Sequence, residues 1–179
     1  MDAGLAAILG AAGAAAATVT AAIATGAAQR KAARVAATVE QRKKLHESRI
    51  RVCTEFIDAS NHFYKAIKRV RWNEQTYFTD ETRTNVSDAL AESYERCNSL
   101  LSDMWLAVPS KTFNQAFRIV QLCELLHAHY VYASLAWNMA HPGDQANKKA
   151  CGRAENTVSE LEKDGHRFAK SVKRLLDID

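Results

Sequence analysis

From Val52 onward the apolar residues of this chain fall three and four positions apart, and little interrupts them. That spacing lines one face of an α-helix and is not the alternation of a half-buried strand. The chain holds seven glycines and two prolines in 179 residues, too little turn punctuation for a sheet-rich protein. An all-α fold is the expectation. The pattern breaks at three places. The polar stretch 74–84 reads as a loop after Trp72 and Asn73. Pro109 stops a helix, with Ser110 suited to cap the next one. His141-Pro142-Gly143-Asp144 reads as a turn.

Four amphipathic segments result. The first carries Val52, Phe56, Ser60, Phe63, Ile67 and Val70 on one face. The second, 85–108, carries Val86, Leu90, Tyr94, Cys97, Leu101, Met104 and Val108. The third runs over 111–140. The fourth carries Ala150, Ala154, Val158, Leu161, Gly165, Phe168, Val172 and Leu175. Short connections between such helices predict an antiparallel, up-down-up-down bundle over residues 52–179.

The third segment is apolar nearly all round. Ala116, Ile119, Cys123, Leu126, Tyr130, Ala133 and Trp137 form one stripe, and Phe113, Phe117, Val120, Val131 and Leu135 a second. Leu125, Ala128, Tyr132 and Ala136 leave little polar surface between them. A helix of this kind buries more sides than a four-helix bundle covers. Self-association is therefore expected, with Phe113, Phe117, Val120, Tyr130 and Trp137 as interface candidates and a homo-oligomer as the product.

Ahead of the bundle, residues 3–28 contain no charge and consist mostly of alanine. As a helix this stretch would extend about 39 Å, more than the ~30 Å of a bilayer's hydrocarbon core. Its strong insertion residues are Leu5, Ile8, Leu9, Val19 and Ile23, together worth roughly −1.5 to −3 kcal/mol. That is a marginal anchor. Residues 29–51 then hold eight basic and two acidic side chains, a local charge of +6, which leaves −2 for the rest of a chain whose net is +4. Arg30, Lys31, Arg34, Arg42, Lys43 and Lys44 form the flank expected on the cytoplasmic side, with the N-terminus outside. A cleaved signal peptide would carry its positive charges in front of the apolar stretch. The alternative is an alanine-rich helix that packs on protein. The organisation expected is an anchor helix at 1–28, a basic juxtamembrane helix at 29–51 and the bundle at 52–179. Membrane lipid is a partner in this reading, and nucleic acid is not, since the basic run lacks aromatic residues for base stacking.

Catalytic motifs are wanting. Glu124-Leu125-Leu126-His127 has the i, i+3 spacing of a di-iron ligand pair, yet no second Glu-x-x-His accompanies it. Glu162 and His166 stand four apart, and Glu55, Asp58 and His62 fit no standard pattern. Glu124 and His127 are thus the weak metal candidates, with mutual pairing the simpler reading. His127 and His129 point about 200° apart on a helix and cannot share a metal there. Cys53, Cys97, Cys123 and Cys151 show no metal-binding spacing and read as buried thiols. No cofactor is expected, and no enzymatic activity.

The stretch Gly4-Leu5-Ala6-Ala7-Ile8-Leu9-Gly10, the helix from Gln29-Arg30-Lys31 to Gln41-Arg42-Lys43, and Phe56-Ile57-Asp58-Ala59-Ser60-Asn61-His62-Phe63 together resemble a group of small membrane-anchored helical proteins of high-GC Gram-positive bacteria. The resemblance covers the first third of the chain and implies topology without mechanism. The function expected is a membrane-tethered, self-associating interaction or scaffold protein. The alternatives are a membrane effector of a defence or toxin system, acting through assembly of its N-terminal helices, and a metalloprotein built in the bundle core.

Overall fold

A computed structural model describes the backbone of residues 2–72, 80–139 and 145–177, and the side chains of 25–72, 81–135 and 148–177. Four helices account for it: α1 (Asp2–Lys68), α2 (Asp80–Ala107), α3 (Ser110–Met139) and α4 (Gln145–Asp177). Among the described residues there is no strand. The chain divides into two compact units, Met1–Leu45 and His46–Asp179.

In the first unit, the described side chains are exposed except at Gly26. Lys44 pairs with Glu40 one turn earlier, at 2.8 Å. Among the described residues no helix is long and apolar enough to cross a membrane. The strong insertion residues Leu5, Ile8, Leu9, Val19 and Ile23 have side chains outside the described set.

The second unit is a helical bundle with one continuous core. Burial in α1 begins at His46, Ser48 and Arg49, which are half-covered. Val52, Phe56, Phe63 and Ile67 then face inward with no exposed surface. They meet Leu90, Cys97 and Met104 of α2, Ile119, Cys123, Leu126 and Tyr130 of α3, and Leu161, Phe168 and Val172 of α4. The Phe56 and Phe168 rings meet edge to face at 5.2 Å, which adds aromatic quadrupole attraction to the burial. Beyond α1, Trp72 is buried edge-on against Tyr130 at 6.2 Å. The Cys151 thiol donates to its carbonyl at 3.0 Å. One aromatic and one thiol so tie the end of α1 to α3 and α4.

Helix ends differ from the sequence expectation in two respects. The second helix starts at Asp80, inside the stretch read as a loop. Asp80 to Thr84 satisfy the helical backbone and precede Val86, whose half-buried side chain joins the core edge. Residues 74–79, with Tyr77 and Phe78, lie outside the described residues, as does the turn 141–144. At the α2–α3 junction, the Pro109 carbonyl accepts from the Thr112 and Phe113 amides at 2.9 and 3.0 Å. Pro109 is therefore the cap position, and Ser110 lies inside the helix instead of capping it. The Ala107 carbonyl at the end of α2 is satisfied from a distance, by Arg49 Nε at 2.8 Å. Arg49 thus works within the bundle, although its position in sequence belongs to the basic run.

Candidate functional site

The third helix buries a broad face: Ala116, Ile119, Val120, Cys123, Leu126, Tyr130 and Ala133. Its other side carries Phe117, Leu125, Val131, Tyr132 and Leu135, all exposed. At 100° per residue these five fall within a sector of about 120°. They run about 27 Å along the helix, at 1.5 Å per residue. Gln121 and Glu124 are the polar breaks, and Ala128 lies flat at the centre. Near one end Trp105 of α2, 66% exposed, sets its ring edge-on to half-buried Phe113 at 5.0 Å. Phe113 in turn stacks near Phe117 at 6.2 Å. An aromatic ladder of three rings therefore leads onto the stripe.

A whole aromatic side chain offers roughly 150–250 Å² and an aliphatic one somewhat less, so the exposed fractions amount to roughly 500–700 Å² of apolar surface. Soluble monomers rarely leave more than a few hundred Å² bare in one patch. A standard interface covers about 800 Å² per partner and favours Trp, Tyr and Phe.

Of the interface candidates, Phe117 lies on this face and Phe113 at its edge. Val120 and Tyr130 do not: both are buried, Tyr130 completely. Their position on α3 turns them toward α2, α4 and Trp72, so core packing consumes them. The side chain of Trp137 lies outside the described residues. Leu125, Val131, Tyr132, Leu135 and Trp105 take their place. Val131 and Leu135 stand in the second apolar stripe of the sequence, and Leu125 and Tyr132 in the weakly polar sector beside it; nothing in the α3 pattern points to Trp105, which lies on α2.

The other candidates are dispersed. Arg30, Lys31, Arg34, Arg42, Lys43 and Lys44 are exposed along the first unit. Glu124 is exposed, while half-buried His127 directs Nε2 toward Ser87 Oγ at 3.5 Å, the outer limit of a hydrogen bond. Among the described residues, no three His, Cys, Asp or Glu side chains converge to hold a metal ion. All four cysteines are buried and free.

A small polar cluster closes the α1–α4 seam. Lys68 Nζ donates to Tyr64 Oη at 2.8 Å and stands 3.7 Å from Glu162. The Tyr64 hydroxyl, more than the nearby Lys68, draws the Glu162 carboxyl below its ordinary range. Tyr64 and Glu162 also line a cavity of about 300 Å³, together with Ile57, Ile119, Leu161, Gly165 and Phe168. Asp164, by contrast, is nearly buried and bridges Arg118 and Arg167 at 2.6 and 3.0 Å. This network fixes α3 on α4. No family model, curated protein or solved structure matches the chain.

Proposed function

We propose that this chain is a non-enzymatic helical interaction protein whose bundle pairs with a second copy of itself through the outer face of α3. The exposed stripe of Phe117, Leu125, Val131, Tyr132 and Leu135 carries the reading. Its area approaches one side of a standard interface. A two-fold axis near Ala128 would bring like to like, as closed dimers do. Antiparallel helices suit the same reading, and residue pairs support them: Phe56 with Phe168, Ser87 with His127, Trp105 with Phe113.

The bundle is tethered at a membrane surface by the uncharged stretch 3–28, N-terminus outside and bundle in the cytoplasm, with the basic residues behind it. Alanine contributes little to insertion. Small-residue helices gain from packing on one another in lipid, so self-association of the bundle and retention of the tether reinforce each other. The bundle then offers its remaining surface to a protein partner.

Cysteine scanning tests the pairing. The native thiols are buried, so Ala128→Cys and Gln121→Cys each add an accessible one on the α3 face. Mild oxidation of the full chain is expected to give a disulfide-linked dimer from at least one of them, and none from Lys163→Cys on α4. If neither the Ala128→Cys chain nor the Gln121→Cys chain gives a linked dimer, the reading is overturned.

A further inference from the structure

Between α1 and α2 the bundle leaves a trough of about 510 Å³. Alanines make it: Ala59 and Ala66 on α1 face Ala89 on α2, so the helix surfaces stand apart where larger side chains would fill the gap. The rim is strongly basic. His62, Lys65 and Arg69 follow one another at helical spacing on α1, and Arg96 faces them from α2. Glu92 is the one carboxylate among the lining residues.

What sets these charges apart is their convergence from two helices on one concave space. Lys44, Arg51, Lys68, Arg118 and Arg167 each have a carboxylate within 4 Å. Lys65, Arg69 and Arg96 have none among the described residues. Like charges four apart on a helix repel, and Lys65 and Arg69 stand at that spacing. A fold that gathers three unmatched cations around a concave space has made an anion site in electrostatic terms. Counting Lys65, Arg69 and Arg96 against Glu92, the rim carries +2, which suits a ligand of two or more negative charges. Two guanidinium groups add planar donor forks that fit phosphate oxygens.

We propose that the α1–α2 trough binds a multiply charged phosphate, either a monoester or a diphosphate, held by Lys65, Arg69 and Arg96 with His62 at its edge. The chemistry is shared by a soluble phosphate ester and by the headgroup of a lipid such as phosphatidic acid. The site lies wholly within the second unit and is independent of the α3 face.

The test is calorimetric titration of the full chain, in mild detergent, with inorganic pyrophosphate. Charge-assisted contacts of this kind lose roughly tenfold in affinity or more when two cations are removed, so that loss is expected for Arg69→Gln with Arg96→Gln. Arg34→Gln with Arg42→Gln removes the same charge from the first unit and is expected to leave binding nearly unchanged. Ala89→Phe fills the trough without altering charge and is expected to abolish binding with helicity intact. Flotation on phosphatidylcholine vesicles, with and without phosphatidic acid, distinguishes the sources. Trough-dependent binding to the phosphatidic acid vesicles assigns a headgroup. Pyrophosphate binding that depends on the trough, with vesicle binding that does not, assigns a soluble ester. If neither probe binds through the trough, or if the two pairs of substitutions weaken binding equally, the proposal is overturned.

Discussion

Replacing Gly165 by alanine is expected to stabilise the bundle. Gly165 lies on the buried seam of α4 between Leu161 and Phe168, in helical conformation, and a Cβ built there meets nothing within 4 Å. No contact has to yield to admit the methyl group. Glycine inside a helix costs about 0.8–1.0 kcal/mol relative to alanine, largely through the freedom it restores to the unfolded chain. The added methyl also enters the α1–α4 cavity, where partial burial contributes up to about 0.5 kcal/mol more. The sum is about 1–1.5 kcal/mol, or roughly 3–5 °C in Tm for a bundle of this size. Urea unfolding followed by far-UV circular dichroism measures it, with the midpoint rising and the slope unchanged. Gly152 offers a control: it lies about 20 Å further toward the start of α4 and also has open space at Cβ. Gly152→Ala is expected to give the propensity gain alone, and the two gains to add. A loss of stability in Gly165→Ala, with the gain kept at Gly152, would refute the packing described for this seam.

Other outcomes follow from the core and its thiols. Phe168→Ala removes a buried ring facing Phe56 and is expected to cost about 3–5 kcal/mol by denaturant unfolding. A double-mutant cycle with Phe56→Leu should leave a coupling of about 0.5–1.5 kcal/mol. Burial pushes the Cys53 thiol up to about 11 and the Cys97 thiol up to about 12, against the opposing pull of Arg49 and Arg96. Ellman's reagent should therefore spare the native chain at neutral pH and titrate all four cysteines after denaturation. The pH dependence has a definite sign. Above pH 9 the unfolded thiols ionise while Cys53 stays protonated until about 11. The unfolded state then binds fewer protons, so stability is full below that window and falls through it.

Much of the bundle was legible from local spacing. Val52, Phe56, Phe63 and Ile67 fall on one face of α1 by spacing and are fully buried in the core. Leu90, Cys97 and Met104 on α2, and Leu161 and Phe168 on α4, follow the same logic. Three- and four-residue spacing depends only on the helix itself, which is why it transfers. What depended on neighbours did not. Val120 and Phe117 belong to one sequence stripe, yet Val120 is buried and Phe117 exposed. Which edge of an all-round apolar helix faces inward is set by where α2 and α4 lie. Arg49 looked like one more basic residue of a flank, and its bond to Ala107, 58 positions away, is a tertiary fact. The trough of Lys65, Arg69 and Arg96 is invisible along the chain, because Arg96 joins the others only when α2 packs beside α1.

Self-association through α3 is most directly tested by sedimentation velocity of the full chain in mild detergent, wild type against Phe117→Lys with Tyr132→Lys. Both side chains are exposed, so the substitutions should leave the helical signal and the unfolding midpoint intact. The expected result is a wild-type dimer or larger species that dissociates to monomer in the double variant. A monomeric wild type, or a variant that associates as strongly as the parent, would contradict it.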